Sequence, residues 1–464
     1  MSQEFTRQLL VVRNALVSAS LSGEVERIVR SLLTFRVPRA IRTRKGVKWT
    51  YTSRSFYFPE LNAFPTGFLQ DVLHVLGQMG VYPEVVDRRV CPQGGRPFEL
   101  DIELKPFQRE AVEKALKLTK AVIHGSVSSG KTVIAAGIVS RLGLPFLYVT
   151  HRQDIARQTY ERFKAWFPDS VSVGLCTGGT RVRGESLVAT YQSLKDLPLD
   201  FPILLVDECH RVVSEAFTNA VSNCDAFYRF AFTGTPRGRS DALDTIMDKL
   251  LGPVVQVADY DTIKRENLAC DAKFIFVVVQ EDLPVTDPSD FHNAETLFIV
   301  GGQKRNELIK TVCESRTKEG VTLVIVRRRE HGLYLQKMIK NALFIDSSSP
   351  ASRRDEARKL QSGVLIATGV IEEGIDNPNI DVLVNAAGGK SSIVTKQRIG
   401  RGLRFKEGKV LKVIDFVDLA HPLLFKHSFA RYKIYKRLSD DIVFLSEEGR
   451  IVESPFGQRR RQSR

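Results

Sequence analysis

The segment 125–132 reads Gly-Ser-Val-Ser-Ser-Gly-Lys-Thr and fits the phosphate-binding pattern GxxxxGK[ST]. Its glycines allow backbone N–H groups to close around phosphate oxygens, while Lys131 supplies a positive charge and the Thr132 hydroxyl can ligate Mg²⁺. A predicted strand precedes the pattern and a predicted helix follows it. A phosphate loop needs both elements, whereas a chance glycine-rich turn needs neither. The segment therefore predicts a nucleotide-phosphate site. Its assigned residues are Gly125, Ser126, Ser128, Ser129, Gly130, Lys131 and Thr132.

A pair of carboxylates follows an apolar run at 203–206. Asp207 and Glu208 come directly after this run, 76 residues beyond Lys131. In a phosphate-loop fold, an aspartate at a strand end can hold Mg²⁺ and the neighbouring glutamate can polarise the attacking water. Alone, such a pair is usually a solvated strand end or a helix N-cap. Joined to the loop, it predicts a nucleotide-hydrolysis site with Thr132 and Asp207 as metal ligands.

A basic and aromatic segment lies between Arg36 and Arg54. Seven lysine and arginine residues there surround Trp49 and Tyr51, and Lys45 lies at a predicted turn. A hairpin of this composition can follow phosphates with its charges and stack bases on its rings. The alternative is a solvated ribbon whose charges protect an exposed edge, and this segment alone leaves both open. The predicted nucleic-acid contacts are Arg42, Arg44, Lys45, Lys48, Trp49 and Tyr51.

Short apolar runs that alternate with helical patterns fill the chain after about residue 99. The first series predicts buried parallel strands at 121–124, 145–149, 186–189, 203–206 and 230–232. The second series predicts strands at 273–279, 322–326, 364–367, 382–385 and 410–414. Helices such as 132–141 and 154–167 separate the strands. The pattern predicts an α/β protein with two doubly wound parallel-sheet lobes in tandem.

The first 98 residues have a different pattern. They combine a β-leaning stretch at 5–20, helical spacing at 24–35 and 67–80, and strand alternation at 47–58, which predicts a small α+β module. The expected domains are an N-terminal module at 1–98, a first lobe at 99–255, a second lobe at 256–425, and a basic helical C-terminal segment and tail at 426–464.

The balance of charge favours a polyanionic partner. Lysine and arginine number 68 against 53 acidic residues, which leaves a net charge of +15 and a pI near 9.5. Residues 1–98 carry a net +7 and residues 426–464 a net +5, so the predicted lobes between them are nearly balanced. A grip on a phosphate backbone is therefore expected at the two flanks.

The composition excludes several classes of protein. With 43% hydrophobic and 26% charged residues, a mainly disordered or collagen-like chain is excluded. The six cysteines lack zinc-ligand spacing and a disulfide-framework pattern, so we expect no structural metal and a reducing compartment. No signal-peptide pattern opens the chain and no run of about 18 apolar residues occurs. We therefore expect a cytoplasmic protein without a membrane partner.

Further motifs accompany the loop and the carboxylates, in a fixed order along the chain. They are Leu104-Lys-Pro-Phe-Gln108, Thr190-Tyr-Gln-Ser-Leu194, Asp207-Glu-Cys-His210, Thr233-Gly-Thr-Pro236, Ala367 through Asp376, and Gln397-Arg-Ile-Gly-Arg-Gly-Leu-Arg404. Individually, several could be plain turns or exposed basic helix faces. Jointly, over about 104–418, they resemble the motifs of superfamily 2 DExH helicases.

This resemblance implies two RecA-like lobes, ATP as the nucleotide, Mg²⁺ and DNA-coupled hydrolysis. It implies catalytic roles for Lys131, Asp207, Glu208, Gln397, Arg401 and Arg404. It implies further nucleotide contacts at Phe107, Gln108, Gly374 and Asp376, and coupling through His210, Thr233 and Thr235. It implies DNA contacts at Arg152, Thr190 and Thr368. Closure of the two lobes around ATP would convert hydrolysis into stepping along a strand.

The segment 64–108 resembles the module that precedes the motor in XPB-type and phage UvsW-type enzymes. The chain is thereby most similar to the XPB/UvsW-like group and its phage branch migration helicases, including the T5 type. This implies branched, duplex and single-stranded DNA as partners, roles in DNA recombination, repair and replication, a monomer, and the host cytoplasm if the protein is viral. An RNA helicase or a restriction-type duplex translocase subunit remains an alternative. Intact Lys131, Asp207, Glu208 and Arg404 argue against a non-catalytic DNA-binding scaffold.

Overall fold

The computed structural model describes residues 8–456 except 44–45, 126–128, 198, 210–221, 235–243, 259, 267, 284–289, 317–319 and 369–376. The chain divides into two compact units, Met1–Ala258 and Asp259–Arg464. Each unit contains a large β-sheet, and the first also carries a small sheet near its start. No helix within these described ranges is both long and apolar enough to cross a lipid bilayer.

A small α+β module begins the first unit. Its elements are β1 (Leu9–Val12), β2 (Leu16–Ser20), α1 (Gly23–Leu32), β3 (Thr34–Thr43), β4 (Gly46–Ser55), β5 (Ala63–Pro65), α2 (Leu69–Gln78) and β6 (Glu84–Asp87), with 3-10 turns at Pro59–Leu61 and Thr66–Phe68. The sheet order is β5-β2-β1-β6, and β3 pairs with β4 in a separate ribbon. Buried Val25, Val29, Val72 and Leu76, at helical spacing on α1 and α2, join the strand residues in one core.

The first lobe is an eight-stranded sheet in the same unit. Its strands are β7 (Lys120–His124), β8 (Phe146–Thr150), β9 (Val173–Thr177), β10 (Thr180–Val182), β11 (Ser186–Thr190), β12 (Ile203–Val206), β13 (Tyr228–Thr233) and β14 (Val254–Gln256). Its helices are α3 (Pro106–Leu116), α4 (Lys131–Leu142), α5 (Gln153–Trp166) and α6 (Asp244–Leu251), with a 3-10 segment at Tyr191–Asp196. The order is β10-β9-β11-β8-β12-β13-β7-β14, parallel except for β9 with β10. Strands β8, β11 and β12 are buried throughout, as a sheet covered on both faces requires.

The second unit is built on a seven-stranded, all-parallel sheet. Its strands are β15 (Asp271–Val279), β16 (Val321–Ile325), β17 (Leu343–Ile345), β18 (Gly363–Ala367), β19 (Ile380–Asn385), β20 (Val410–Asp418) and β21 (Ile442–Leu445), in the order β17-β18-β16-β19-β20-β15-β21. Its helices are α7 (Tyr260–Arg265), α8 (Phe291–Ala294), α9 (Gln303–Arg316), α10 (Arg329–Met338), α11 (Ala351–Lys359), α12 (Ser392–Gly402) and α13 (Pro422–Tyr435), and a π-helix at Glu295–Val300 follows α8. The α/β fold with two parallel-sheet lobes is confirmed.

The end of the chain differs from the predicted basic helical segment at 426–464. Helix α13 begins at Pro422, and β21 then adds an edge strand to the sheet beside β15. Phe456 packs against a group of aromatic rings that includes Phe276 and Phe444. The segment is therefore built into the second lobe, because its apolar residues complete that core. The arginines at 459–461 and 464 lie outside the described residues.

The N-terminal module contacts the first lobe at several points. The Asn14 side chain donates to Asp225 O at 2.9 Å, and Ala15 N donates to the Asp225 carboxylate at 2.8 Å. Lys249 forms an ion pair with Asp71 at 2.7 Å. A Cβ built on Gly67 would lie 1.6 Å from Lys249 O, so this close approach requires glycine. The module and the lobe are thus packed together within one unit.

Lys120, at the start of β7, is half-buried in this contact, and its ammonium group donates a hydrogen bond to Asn14 O. Burial and the charges of Arg229 and Arg89 lower the pKa of Lys120 from 10.5 to about 7, although the charge of Asp225 raises it. The unfolded chain therefore binds an extra proton between about pH 7 and 10.5. Lys120 thus costs stability most fully below pH 7, and this cost disappears as the pH rises through that range.

Lys120→Met is expected to raise the free energy of unfolding at pH 6 by on the order of 2 kcal/mol, after allowance for the lost hydrogen bond. The gain should shrink by pH 9, because the wild-type Lys120 side chain is then already a neutral amine in the folded state. Urea unfolding at both pH values measures the difference. Exposed Lys117, replaced by methionine, is the control. A gain of equal size at both pH values would contradict the assignment.

Candidate active site

The phosphate-loop pattern connects β7 to α4, as its sequence predicts. Helix α4 begins at Lys131, and Gly130 is its N-cap residue with φ 72°, in the left-handed region. A Cβ on Gly130 would also lie 2.4 Å from Gln108 Nε2. Both the backbone conformation and the lack of space therefore require glycine at this position. Ser126 and Ser128 lie outside the described residues.

Gln108 supports the loop from helix α3. Its buried carboxamide accepts a hydrogen bond from Lys105 N at 2.9 Å and donates one to Ser129 O at 3.0 Å. The first bond returns to the N-cap residue of α3, as in a capping box. Phe107 beside it is also buried. The described contacts of the Gln108 side chain are therefore with the helix cap and the loop backbone, and its contact with the nucleotide stays a prediction.

Lys131 and Asp207 both lie at the carboxyl ends of the parallel strands. Lys131 Nζ lies 3.4 Å from Gly125 O, and Asp207 N donates to Val149 O at 2.9 Å. Burial and the charge of Glu208 raise the pKa of Asp207 to about 6, while the charge of Lys131 opposes this rise. The structure thus brings the loop lysine within electrostatic reach of the strand-end carboxylate, which the sequence predicts from pattern alone.

Glu208 adopts an uncommon backbone conformation immediately after β12. Its φ is 49°, a left-handed value that side-chain-bearing residues rarely adopt. Its N–H donates to Asp207 Oδ1 at 3.0 Å, which helps to hold this turn. Such strain is often found at functional sites. His210, two residues further on, lies outside the described residues.

His124 is a site residue that the sequence reasoning missed. Its ring nitrogens lie 2.5 Å from Gln256 Oε1 and 3.2 Å from Gly234 O. Gly125 N donates to Thr233 O at 3.2 Å. His124 and Gly125 thus connect the start of the phosphate loop to the Thr233 motif. The available signal was a polar, titratable residue directly before the loop pattern. Thr235 lies outside the described residues.

The predicted DNA contacts of the lobes are placed in varied surroundings. Arg152 forms an ion pair with Asp154 at 2.9 Å. Thr190 is buried, and its hydroxyl bonds to Ser193 Oγ at 2.9 Å. Thr368 follows β18 and donates its N–H to Ile345 O at 3.2 Å. The Arg152 and Thr190 side chains have protein partners, and all three DNA assignments stay predictions.

Of the predicted hairpin contacts, the structure places the Tyr51 side chain. Its ring is 66% exposed, and the Arg36 guanidinium lies 5.4 Å from the ring centroid. The backbone of Arg42, Lys48 and Trp49 lies in the ribbon, but their side chains are outside the described part of the structure. Arg44 and Lys45 lie wholly outside it.

Helix α12 carries the motif with Gln397 and Arg401, of which the structure describes the backbone only. Arg404 follows the helix, and its backbone forms a bridge with Ala269. Arg398, which the sequence reasoning did not single out, is buried and donates to Asn385 and to Gly388 O. In the sequence, only its position directly after Gln397 could have indicated that Arg398 belongs to the site. Gly374 and Asp376 lie outside the described residues.

The loop residues suit a bound phosphate chain. The buried Ser129 hydroxyl has no hydrogen-bond partner among the residues that the structure describes, and a Cβ on Gly125 would lie 2.2 Å from its oxygen. Between them, the described residues contain no group of three His, Cys, Asp or Glu side chains that could hold a metal ion. A Mg²⁺ ion at Thr132 and Asp207 would therefore need phosphate oxygens among its ligands, which is how this ion is commonly held.

Two family models match the chain. Residues 101–238 match the family described as type III restriction enzyme, res subunit, and residues 303–406 match the helicase conserved C-terminal domain. Together the matches cover just over half of the chain. The first includes the phosphate loop and Asp207, and the second includes α12 and Arg404.

Curated relatives match at low identity. The DNA 3'-5' translocase XPB2 of Sulfurisphaera tokodaii is 23% identical over 79% of this chain and 92% of its own length. The ATP-dependent DNA helicase uvsW of Enterobacteria phage T4 is 22% identical over 69% of each chain. The matches with three further relatives cover 51% to 61% of the length of those proteins.

A solved structure shares the fold. Dbp5 of Saccharomyces cerevisiae, bound to RNA and ADP BeF3, matches with a TM-score of 0.53 and 16% identity, over 74% of this chain and 94% of that one. At this identity the match concerns the fold of the two lobes.

Proposed function

The chain belongs to the superfamily 2 helicases, and from this premise we propose that it uses ATP hydrolysis to move on DNA and to remodel branched DNA. The observation that carries the proposal is the placement of Lys131 and Asp207 at one end of the parallel sheet, with the charge of Lys131 acting on the half-buried carboxylate. This is the arrangement that phosphoryl transfer requires, because it depends on positioning and electrostatic stabilisation.

In the proposed reaction, Lys131 and the loop N–H groups bind the phosphates of ATP. Thr132 and Asp207 would hold Mg²⁺, which supplies charge neutralisation at the phosphate oxygens when bound. Glu208 orients and polarises the attacking water from the turn that follows β12, where its backbone has a φ of 49°. Gly125, Ser129 and Gly130 shape the loop so that its backbone can approach the phosphates.

We assign the remaining residues through the motif resemblance. Arg401 and Arg404 stabilise charge on the transferred phosphoryl group, with Gln397 beside them in the same motif. Thr233, His210 and Thr235 would couple hydrolysis to DNA movement. The contacts of His124 with Gln256 and Gly234 O add a further connection between the phosphate loop and the Thr233 motif.

Branched DNA is the proposed substrate for two reasons. The net charge of +7 on residues 1–98 and +5 on 426–464 supports phosphate contacts toward the two ends of the chain. The relatives are, by name, a DNA translocase and a phage DNA helicase. A restriction-type duplex translocase is the second candidate, because the first lobe matches a restriction-enzyme family. Forks and four-way junctions distinguish the two, since a duplex translocase has no need of a branch point.

The test is ATPase and strand-exchange activity in parallel on single-stranded DNA, duplex, fork, four-way junction and RNA. Branch remodelling predicts the greatest stimulation by forks and junctions, with movement of the branch point in the strand-exchange arm. Equal stimulation by linear duplex, without strand exchange, would favour the restriction-type translocase. Stimulation by RNA above all DNA forms would overturn the choice of DNA.

The ribbon of β3 and β4 gives a separate prediction. Replacing Arg42, Arg44, Lys45 and Lys48 together by alanine should lower DNA affinity and flatten its salt dependence. Each lost phosphate contact reduces the slope of log K against log salt by about 0.9 on duplex DNA. Fluorescence anisotropy between 50 and 200 mM salt measures the slope. Across this range, the loss of four phosphate contacts should reduce the salt-induced change in affinity by on the order of a hundredfold.

Positive charges of the same module that lie outside the ribbon provide the control. Alanine at Arg27 and Arg30 on α1 removes positive charge from the same module without touching the ribbon tip. This control should retain most of the wild-type slope. An unchanged slope in the ribbon variant would mean that the ribbon is a solvated edge and that the DNA grip lies elsewhere.

A further inference from the structure

Three buried arginines of the second unit surround the loop between β19 and α12. Arg305, Arg398 and Arg431 are 0%, 7% and 1% exposed, although guanidinium groups are rarely buried without partners. They come from three different helices, α9, α12 and α13. We call them the arginine cluster.

Each member of the cluster binds a carbonyl of the same short loop, 386–391. The three bonds are Arg305 Nη2 to Ala386 O at 3.3 Å, Arg398 Nη1 to Gly388 O at 3.0 Å, and Arg431 Nη1 to Gly389 O at 2.7 Å. Gly388 and Gly389 have φ values of 59° and 89°, which only glycine adopts readily. The loop backbone would otherwise be free to rearrange at these residues, so the three donors fix a segment that is intrinsically permissive.

Buried carboxylates hold two of the arginines in place. Arg431 makes a two-point ion pair with Asp415, each N···O distance being 2.8 Å. Burial alone would raise the pKa of Asp415, but the charge and hydrogen bonds of Arg431, with hydrogen bonds from Tyr435 and Asn385, lower it below its ordinary value. Arg305 pairs with Asp418 at 2.5 Å. Asp415 is therefore a fixed anion that orients Arg431.

Asn385 connects this ion pair to the motif helix. Its amide donates to Asp415 Oδ2 at 2.9 Å, and its oxygen accepts from Arg398 Nη1 at 3.1 Å. A continuous series of hydrogen bonds thus runs from Arg431 on α13, through β20 and β19, to Arg398 on α12. Arg398 directly follows Gln397 and lies three residues before Arg401 in the motif.

We propose that Arg431 is a positioning residue for ATP hydrolysis: it fixes the loop 386–391 and, through Asp415 and Asn385, the orientation of α12. The inference rests on the proposed function, because α12 carries Gln397 and Arg401 and leads into Arg404. A buried ion pair is a poor source of net stability, so its use here is better explained by the need to hold one geometry. Small displacements of catalytic groups cost about 10²-fold in rate.

Arg431→Lys is the main test, because lysine keeps the charge but cannot bind Asp415 and Gly389 O together in the forked geometry. We expect amide hydrogen exchange in 386–391 to rise about tenfold or more. We expect kcat for DNA-stimulated ATP hydrolysis to fall by about 10- to 100-fold. KM for ATP and DNA affinity should stay within about threefold. Arg431→Met should enlarge both effects if that variant folds.

Ile434→Ala is the matched control, since it removes buried apolar volume from the same helix without touching the arginine cluster. The kcat of Ile434→Ala should stay within about twofold of wild type, and its hydrogen exchange in 386–391 should be unchanged. Both should hold even if its Tm falls as much as that of Arg431→Lys. If Arg431→Lys loses no more kcat than this control, the positioning role is wrong. If hydrogen exchange in 386–391 is unchanged in Arg431→Lys, the inference that Arg431 fixes this loop is wrong. Hydrogen exchange decides this even if the wild-type protein hydrolyses no ATP, an outcome that would overturn the proposed function alone.

Discussion

Lys131→Ala is expected to abolish ATP turnover, with kcat at least about 10³-fold below wild type. Lys131 is the first residue of α4, and its ammonium lies beside Gly125 O at the mouth of the loop. Alanine removes the one positive charge that the loop sequence directs at the β- and γ-phosphates. Steady-state ATPase assays with saturating DNA measure the loss.

DNA binding should survive this change within about threefold, because the proposed DNA grip lies on the flanks of the motor. The matched control is Lys117→Ala, which removes an exposed lysine just beyond α3 in the same lobe. That variant should keep wild-type turnover. Undiminished ATP hydrolysis by purified Lys131→Ala protein would show that the phosphate-loop assignment is wrong.

Arg404→Ala should retain nucleotide binding and lose hydrolysis, with kcat lower by about 10³ to 10⁵-fold. The backbone around Arg404 is held by the bridge with Ala269 and by the bond from Lys409 Nζ to Arg404 O at 3.2 Å. Truncating the side chain should therefore leave the local backbone in place. Binding of a fluorescent ADP and single-turnover hydrolysis separate the two steps.

Replacement of the exposed Lys406 provides the control for Arg404, since it removes a positive charge two residues away. Lys406→Ala should keep kcat within about twofold of wild type. A loss of nucleotide affinity in Arg404→Ala, with normal maximal turnover, would contradict a role in stabilising the transition state. Arg404→Lys should recover little activity, because an ammonium cannot reproduce the planar guanidinium contacts.

Local patterns predicted the lobes well. The apolar run at 203–206 is the strand Ile203–Val206, and the predicted helix at 132–141 is Lys131–Leu142. Both succeed because a fully buried strand and a capped helix leave clear local signals. The helical spacing at 24–35 was extended too far, since Thr34 already begins β3. Leu32, Leu33 and Phe35 continue the apolar positions across the boundary, and apolarity alone does not distinguish the end of a helix from the start of a strand.

The C-terminal segment was mispredicted for a related reason. Ile442–Leu445 is a short apolar run between acidic residues, too brief to show a period. Its place at the edge of the sheet depends on β15, far away in the chain. His124 was missed likewise, because its contacts with Gln256 and Gly234 O require residues more than a hundred positions away.

The proposed chemistry could be predicted from local sequence, because the loop 125–132, the carboxylates Asp207 and Glu208, and the arginine-bearing motif at 397–404 are short segments whose residue types predict phosphate binding and hydrolysis. The buried charges that we propose to position that site become visible in the tertiary structure alone. Arg398 and Arg431 are, in sequence, two arginines on helices with several others, and exposure is their usual fate. The fold buries them against Asp415 and the carbonyls of 386–391. Burial of a charge is set by partners distant in the chain, so no local pattern reports it.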